Sequence, residues 1–108
     1  NNQRIRVSKK SDLNNCLFVT GGKIINEIDL PYRKSGCAAL DLAYVASGRY
    51  DGYFQKNLNL WDIAAGIVLV KEAGGLVNEI DLSINKNIKI IASTPDINGK
   101  LLKKLDNF

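Results

Sequence analysis

The sequence predicts an α/β domain in which helices pack against a layered sheet. Short apolar segments rich in β-branched and aromatic residues alternate with longer segments that have helical periodicity. Glycine residues stand at the ends of several of these segments, where turns are expected. The chain has 108 residues and is 45% hydrophobic, which suffices for one domain with a modest core and argues against disorder.

The first thirty residues are predicted to contain two short strands. Residues 4–8 (RIRVS) alternate and are rich in β-forming side chains, and residues 16–20 (CLFVT) form an apolar run typical of a buried strand. Between them, residues 11–15 (SDLNN) predict a turn or a helical start with Ser11 as the capping residue. Residues 23–31 predict a loop with some extended character.

The centre of the chain begins with a predicted helix over residues 35–48. Gly48 stands where such a helix would end, and apolar side chains recur at helical spacing. Residues 50–54 (YDGYF) then predict a strand, and residues 57–60 predict a loop. The apolar face of the helix consists of Ala38, Leu42, Val45 and Ala46, with Ala39 and Ala43 beside them.

A second helix is predicted from Ile63 to Ala73, and it ends at Gly74 and Gly75. Its side chains are apolar on nearly all sides up to Val70. A helix with no polar face is usually buried, so this one is predicted to lie between layers of the fold.

The last part of the chain predicts two further strands and a closing helix. Residues 76–80 and 88–93 read as strands, and residues 81–87 form the turn region between them. Thr94 is the expected cap of the last helix, with Pro95 in its first turn. The predicted inner stripe of this helix is Ile97, Leu101, Leu102 and Leu105.

The composition excludes several kinds of chemistry. The chain has no histidine, which removes Ser-His and Cys-His catalysis and an imidazole base. Zinc is not expected, because there is also no Cys-x-x-Cys pair, and Cys16 and Cys37 are expected to be reduced. Any reaction must therefore use carboxylates, backbone N–H groups, hydroxyls, lysines or a bound metal.

The charge and hydropathy pattern limits the expected partners and location. Fifteen Lys and Arg against eleven Asp and Glu give a net charge of +4, but the lysines are scattered, so a nucleic-acid partner is permitted and only weakly indicated. No apolar run approaches the roughly 18 residues of a membrane span, so no membrane partner is expected. No signal peptide is visible, and the default location is cytoplasmic. Since Met is absent, the chain is interpreted as a fragment or a processed product.

The first candidate site is the helix start Ser35-Gly36-Cys37-Ala38. Small residues at a helix N-terminus leave backbone N–H groups accessible, and the helix dipole there favours oxygen-rich or anionic ligands. The alternative is an ordinary tight entry from a loop into a helix, since glycine at helix starts is common.

The second candidate site is Trp61-Asp62, directly before the apolar helix. Asp62 has two interpretations: a cap whose oxygens accept bonds from free helix N–H groups, or a carboxylate ligand of a hard cation such as Mg²⁺. One carboxylate is too few for a metal site. The possible partners have no recognised metal spacing; they are Asp41, Asp51, Glu72 and Asp81. Asp51-Gly52 is interpreted as a turn without chemistry, and the tyrosines as core and rim aromatics.

Taken together, residues 35–75 resemble the second signature of the inositol monophosphatase family. The matching segments are SGCAALDLAYVASGRYDGYF and LWDIAAGIVLVKEAGG, with the internal spacing of that signature. The upstream segment RIRVSKKSDLNNCLFVTGG resembles bacterial extragenic-suppressor-type members. The resemblance implies the fold of the C-terminal half of an αβαβα sandwich, with residues 1–108 as one C-terminal domain.

The resemblance also implies a function for these residues. Asp62 would be a carboxylate ligand of a catalytic Mg²⁺ and would face a substrate hydroxyl, with Trp61 packed beside it and setting its direction. Gly36, Cys37 and Ala38 stand where family members contact the sugar or inositol ring with backbone N–H groups. The family's reaction is hydrolysis of a phosphate monoester by a metal-activated water. Family members are commonly homodimers.

Three departures from the family pattern stand out. The other metal ligands of the family lie in an N-terminal domain, in Gly-Glu-Glu and Asp-Pro-Ile/Leu-Asp-Gly-Thr segments that this chain lacks. Many members carry Glu seven residues before the Asp of the Trp-Asp pair, where this chain has Gln55, and an amide loses charge and gains a donor. The segment from Thr20 to Gly36 is also much shorter than the corresponding family segment.

The sequence thus predicts the C-terminal wall of a Mg²⁺-dependent phosphatase acting on a small phosphorylated polyol or sugar, as a homodimer or with a complementing N-terminal half. The substrate-binding residues are Gly36, Cys37, Ala38, Gln55 and Asp62. The isolated chain is expected to be inactive. The alternative is a non-catalytic remnant or a module that keeps the fold for interaction with RNA or protein.

Overall fold

The computed structural model describes residues 5–22, 28–106 and 108. Within these residues the chain forms a five-stranded sheet, three α-helices and a short 3₁₀ helix at Leu13–Asn15. The strands are β1 (Phe18–Thr20), β2 (Tyr32–Lys34), β3 (Gly52–Leu58), β4 (Leu76–Val77) and β5 (Ile88–Ser93). The helices are α1 (Ala38–Ala46), α2 (Leu60–Glu72) and α3 (Pro95–Lys104).

The sheet is mixed and has the strand order β2-β1-β3-β5-β4. β1 runs parallel to both β2 and β3, whereas β5 runs antiparallel to β3 and to β4. In the register, Val19 stands opposite Tyr53, and Tyr53 stands opposite Ala92. The predicted α/β fold class is confirmed.

Both faces of the sheet are covered, because side chains alternate between faces along each strand. Val19 and Tyr53 point toward α1 and α2, where one apolar cluster is completed by Leu42, Val45, Ile63 and Val70. Phe18 and Phe54 point to the opposite face, where a second cluster contains Ile91, Ile97 and Leu101. The sheet is therefore the middle layer, with α1 and α2 on one side and α3 on the other.

The predicted strand at residues 4–8 is wrong for its described part, since residues 5–8 have no regular structure. This segment is held by the Val7 N–H bond to the Ala73 carbonyl and by the buried carboxylate of Asp51. Asp51 accepts hydrogen bonds from Ser8 Oγ (2.5 Å), from the Leu17 N–H (2.7 Å) and from Lys10 Nζ (3.3 Å). Residues 5–8 are therefore held by hydrogen bonds to the Asp51 carboxylate and not by pairing with a neighbouring strand.

Two further predictions near the N-terminus are corrected. The 3₁₀ helix is capped by Asp12, whose side chain accepts from the Asn14 N–H, and not by Ser11. Strand β2 was not predicted, because its Tyr-Arg-Lys sequence is mostly exposed at the edge of the sheet and has no apolar alternation. Of the loop predicted at 23–31, residues 23–27 lie outside the described residues, and 28–31 are irregular as expected.

The element ends differ in three places. α1 begins at Ala38 with Cys37 as its N-cap, three residues later than the predicted start. The predicted loop at 57–60 is wrong, because β3 continues to Leu58 through a register shift and α2 begins at Leu60. β4 ends at Val77 rather than at residue 80, since the Asn78 side chain bonds the backbone of Lys89 and Ile91 in place of further strand pairing.

The predicted burial of α2 is wrong. Ile63, Gly66 and Val70 are buried, but Val68 is 58% exposed and Trp61 is 73% exposed. The helix has one face on α1 and the sheet, and none of the described residues forms a layer over its other face.

Helix α3 also departs from prediction in two details. Thr94 occupies the N-cap, but its hydroxyl donates to the Ser8 carbonyl and makes no cap bond. Leu102 is 42% exposed, because its neighbour Leu101 takes the inward position. Among the described residues, no helix has the length and apolar character needed to cross a membrane.

Candidate functional site

One cleft brings together all five residues predicted to bind substrate. It has a volume of about 480 Å³, and its lining includes Gly36, Cys37, Ala38, Gln55 and Asp62. It lies where β1 and β3 end and where α1 and α2 begin. Because β1 and β3 are parallel, their carboxyl ends meet at the same edge of the sheet, which is where ligands usually bind in such folds.

The cleft is not the largest concave surface of the molecule. A concavity of about 710 Å³ lies between the 3₁₀ helix and α3, and another of about 890 Å³ lies beside α2 and β4. Neither receives the N-terminus of α1 or α2, where free N–H groups and the helix dipole attract anions. The chemistry of its lining, and not its volume, therefore makes the smaller cleft the candidate site.

The N-terminus of α1 forms one wall of the cleft. A side chain at Gly36 would meet no atom within 4 Å, so the approach to this backbone is open. The Cys37 N–H donates to Ser35 Oγ at 3.3 Å. Ala38 and Ala39 occupy the first two positions of the helix, and such positions have no intrahelical acceptor for their N–H groups. This wall can therefore donate hydrogen bonds to an oxygen-rich ligand.

Asp62 stands on the opposite wall and is not the cap of its helix. The N-cap of α2 is Asn59, which makes no side-chain cap bond, and Asp62 is the third helical residue. The Asp62 N–H donates to the Asn59 carbonyl at 3.1 Å. Its carboxylate is exposed, and no donor among the described residues bonds it. Of the two interpretations of Asp62, the structure removes the cap and leaves a carboxylate that faces the cleft.

Trp61 lines the cleft rim next to Asp62 and is 73% exposed. The resemblance implied that Trp61 packs beside Asp62 and sets its direction. In the described part of the chain this indole is not packed into a core, so the α2 backbone positions Asp62.

The Gln55 side chain crosses the floor of the cleft in a fixed position. Its Oε1 accepts a hydrogen bond from the Tyr53 hydroxyl at 2.5 Å. These residues are two apart on β3, so their side chains share a face. A Cβ at Gly21 would lie 2.5 Å from Gln55 Oε1, and one at Gly22 would lie 3.4 Å from Nε2. The two glycines after β1 therefore make room for the amide.

Two buried side chains with titratable groups, Tyr53 and Asp41, lie behind the cleft. Burial raises the pKa of the Tyr53 hydroxyl well above its usual value, and the negative charges of Asp41 and Asp62 raise it further. Burial also raises the pKa of Asp41, and a hydrogen bond with Ser35 opposes that shift. Asp41 is 2% exposed, and its Oδ2 has no hydrogen-bond partner among the residues that the structure describes. Tyr53 is thus a protonated hydrogen-bond donor at neutral pH.

The other candidate metal ligands do not join Asp62. Asp51 holds the N-terminal segment, Asp81 bonds Ser83, and Glu72 lies exposed at the end of α2. Across residues 5–22, 28–106 and 108, no three side chains of His, Cys, Asp or Glu come together as a metal site. Asp62 therefore fits a hard cation as one oxygen ligand and needs ligands from outside this group.

Comparison with known proteins assigns this chain to a family. The model of the inositol monophosphatase family matches residues 1–107. The chain belongs to the inositol monophosphatase family. The family resemblance found in residues 35–75 is thereby confirmed.

Relatives and solved structures agree with this membership. The chain is 37% identical to the putative Nus factor SuhB of Neisseria meningitidis, over 95% of the chain and 46% of the relative. It is 33% identical to the inositol-1-monophosphatase of Caulobacter vibrioides, over 95% of the chain and 47% of the relative. The fold is similar to that of the Thermotoga maritima IMPase, with a TM-score of 0.82 and 33% identity, over 99% of the chain and 46% of that protein.

The matches cover only part of each relative. The chain spans about half the length of the curated relatives it matches. The alignment with the Neisseria relative runs over 120 positions, more than the 108 residues of the chain, so that relative contains residues that this chain lacks within the matched region.

Sequence reasoning missed the roles of three residues that shape the site. Tyr53 was interpreted as an ordinary aromatic, and the predicted strand ended at residue 54, so it did not place Gln55 on the same face as Tyr53. Asp41 was considered only as a possible partner of Asp62 in a metal site, and its burial had no signal, because burial of a helical carboxylate depends on what packs over it. Asn57 also lines the cleft and has a left-handed backbone (φ 60°) at the register shift of β3, a conformation that asparagine tolerates.

Proposed function

We propose that residues 1–108 form the C-terminal domain of a Mg²⁺-dependent phosphomonoesterase and supply one wall of its active site. The observation that carries the proposal is the cleft in which the exposed Asp62 carboxylate faces the N-terminus of α1. Family membership supports phosphatase chemistry, and the Caulobacter vibrioides relative is named inositol-1-monophosphatase.

The proposed roles follow from the positions of the groups. Asp62 holds one Mg²⁺ and faces a substrate hydroxyl, while the backbone at Gly36, Cys37 and Ala38 contacts the substrate body through N–H groups. Gln55 contacts the substrate from the floor of the cleft. When bound, Mg²⁺ polarises phosphate oxygens and lowers the pKa of a bound water. The remaining ligands come from an N-terminal half or another subunit, and a homodimer or a complementing half would complete the site.

The substrate class is a small phosphorylated polyol or sugar. The two walls carry donors on one side and a carboxylate on the other, which suits a molecule with both hydroxyls and an anionic phosphate. Inositol phosphates, sugar phosphates and nucleotide phosphates all satisfy this description.

The proposal is tested with the 108-residue chain and with a chimera that joins it to the N-terminal half of the Caulobacter relative. The chain alone is expected to show no Mg²⁺-dependent hydrolysis of inositol monophosphate, because the reaction needs metal ligands from both halves of the site. The chimera is expected to be active. In it, Asp62→Asn should lower turnover roughly 10² to 10⁴-fold, because a neutral amide is a poor Mg²⁺ ligand.

The same variant distinguishes a catalytic from a structural Asp62. The side chain is exposed, so its contribution to stability is limited to its interaction with the helix dipole, and the free energy of unfolding should change by less than ~1 kcal/mol. Asp81→Asn is the matched control on an exposed loop and should keep full turnover. Near-normal turnover of Asp62→Asn with a clearly lowered melting temperature would refute the metal role.

The names of other relatives favour a second candidate function. Relatives from Neisseria meningitidis and Escherichia coli, each 37% identical, are called Nus factor SuhB. Together with the net charge of +4, this favours an interaction role with an RNA or protein partner, independent of catalysis. Binding of single-stranded RNA by the chain, with affinity that falls as salt rises, would support it.

A further inference from the structure

We infer that the α3 side of the sheet binds single-stranded RNA, with phosphates on Lys56 and Lys89 and a base on the Phe108 ring. The inference rests on the interaction role offered above as the second candidate function, and it gives that role a surface and a class of partner. Four residues form this surface, hereafter the Phe108 surface: Tyr32, Lys56, Lys89 and Phe108. None of them lines the cleft of the candidate active site.

The first observation is a pair of lysines on neighbouring strands. Gln55 stands opposite Ile90 in the register of β3 and β5, and a register shift follows it. Lys56 is the next residue on β3, and Lys89 is the adjacent residue on β5. Like charges on adjacent strands repel each other when they share a face. Within the described part of the chain, neither lysine forms an ion pair that would offset this repulsion.

Both lysines point to the face of the sheet that carries α3. Side chains alternate along a strand, so Lys56 shares a face with Phe54, which belongs to the apolar cluster under α3. Lys89 shares a face with Ile91 of the same cluster for the same reason. Gln55, which lines the cleft, points to the other side. The lysine pair is therefore separated from the candidate active site by the sheet itself.

The second observation is that both ammonium groups lie on one aromatic ring. Lys56 Nζ is 5.0 Å and Lys89 Nζ is 6.0 Å from the centroid of the half-buried Phe108 ring. Lys89 Nζ also donates to the Phe108 backbone oxygen at 3.3 Å. The ring packs edge to face on Phe54, with 5.2 Å between centroids, and Phe54 contacts Tyr32 edge to face at 6.0 Å. Phe54 thus supports the ring from the core side.

These two observations together indicate the partner. A cation over an exposed aromatic ring gains little, whereas a phosphate oxygen accepts a charge-assisted hydrogen bond from it. Phosphates would therefore draw the two ammonium groups off the ring, relieve their repulsion and uncover the ring for a base. Bases stacked on aromatic side chains, with the backbone on lysines, are typical of proteins that bind single strands. A duplex keeps its bases stacked inside and cannot use the ring.

The lysines are tested by binding of a short fluorescein-labelled oligouridylate to the 108-residue chain, measured by anisotropy at several salt concentrations. Lys56→Gln combined with Lys89→Gln should weaken binding about tenfold at low salt and lower the slope of log K against log salt by about 1.4, because two phosphate contacts are lost. The control is Lys9→Gln combined with Lys71→Gln, which has the same net charge and changes two exposed lysines outside the surface. Equal losses in the two double variants would overturn the inference.

The ring needs a variant that leaves the charge alone. Phe108→Leu keeps an apolar side chain on Phe54 but cannot stack, so affinity should fall about fivefold or more while the salt slope stays the same. Phe108→Tyr keeps the ring and should bind as the wild type does. Unchanged affinity in Phe108→Leu would overturn the inference. So would duplex RNA that binds as tightly as the single strand, or polyglutamate that competes as well as the RNA.

These measurements also separate the surface from the proposals on which it rests. A wild-type chain that binds no oligouridylate would refute the interaction role together with the surface. Binding that survives both the lysine and the ring variants would refute the Phe108 surface alone. Hydrolysis is not measured in any of these experiments, so an inactive chimera would count against the phosphatase proposal only.

Discussion

Asp41 is a carboxyl group that the fold buries at a cost. It is the fourth residue of α1 and is 2% exposed, and within the described part of the chain one of its oxygens has no hydrogen-bond partner. Burial raises its pKa above the ordinary value of 3.8. A buried charge without a full set of donors destabilises the folded state. Ionised Asp41 therefore destabilises the folded state. The buried carboxylate of Asp51 differs, because it accepts hydrogen bonds from three donors.

The pH dependence of stability should reveal Asp41. Between 3.8 and its raised folded pKa, the folded state holds a proton that the unfolded chain has lost, so stability falls as pH rises through this window. Asp41→Asn should remove this fall and raise the melting temperature at pH 7. Thermal melts from pH 3.5 to 7 measure both effects.

Asp81 is the control for that experiment, because its pKa is shifted in the opposite direction to that of Asp41. Its hydrogen bonds with Ser83 lower its pKa, so its contribution to stability is lost as pH falls below 3.8. Asp81→Asn should therefore not raise the melting temperature at pH 7. If Asp41→Asn retained the full decline of stability with rising pH, the account of Asp41 would be wrong.

At the element scale, the contact between α1 and α2 depends on one small residue. A Cβ at Gly66 would lie 2.5 Å from Leu42 Cδ1 and 2.7 Å from Leu42 Cβ. Glycine in a helix interior costs stability relative to alanine, but here it allows the two helices to approach closely. This contact fixes the relative position of the two helix N-termini that line the cleft.

A pair of glycine substitutions tests this contact. Gly66→Ala should lower the free energy of unfolding by about 1–2 kcal/mol, because overpacking against Leu42 outweighs the gain in helix propensity. Gly99→Ala in α3 is the matched control, since a Cβ there meets no atom within 4 Å, and it should raise stability by about 0.5–1 kcal/mol. Urea unfolding of both variants measures the difference. Stabilisation by both would contradict the close-contact account.

At the scale of the whole molecule, the main unexplained surface is the outer face of α2. Trp61, Val68 and Leu69 are exposed there, 73%, 58% and 38% respectively. An apolar face of this kind usually contacts another protein surface. The chain spans about half the length of its curated relatives, so the chimera with the Caulobacter half tests whether that half covers this face.

The 108-residue chain should therefore associate with itself through this face, and it should also bind a hydrophobic dye there. The chimera should show weaker self-association and weaker dye binding. Val68→Ser should weaken the effect, because it removes apolar area from the centre of the face. Leu102→Ser is the control, since Leu102 is 42% exposed on α3, on the opposite side of the sheet. Sedimentation velocity at several concentrations measures the association. Equal effects of the two substitutions would show that this face has no special role.

Local patterns were sufficient to predict much of this protein. The alternation of apolar segments with helical ones predicted the α/β class, and the small residues at 36–38 and the carboxylate at 62 indicated two candidate sites, which only the family resemblance joined in one active site. These features depend on neighbouring residues, since helix periodicity, glycine ends and N-terminal N–H groups are properties of one segment.

By itself, the sequence determined the fold class and the family, and through the family resemblance it predicted five of the residues that line the cleft. Only the tertiary structure decided which face of α2 is exposed, that Asp62 is not a cap, that Asp51 holds the N-terminal segment, and that Tyr53 fixes the Gln55 amide. The reason is that burial and hydrogen bonding depend on residues distant in the chain. Asp51 bonds groups 34 to 43 positions away, and the space for Gln55 is left by two glycines on another strand's end.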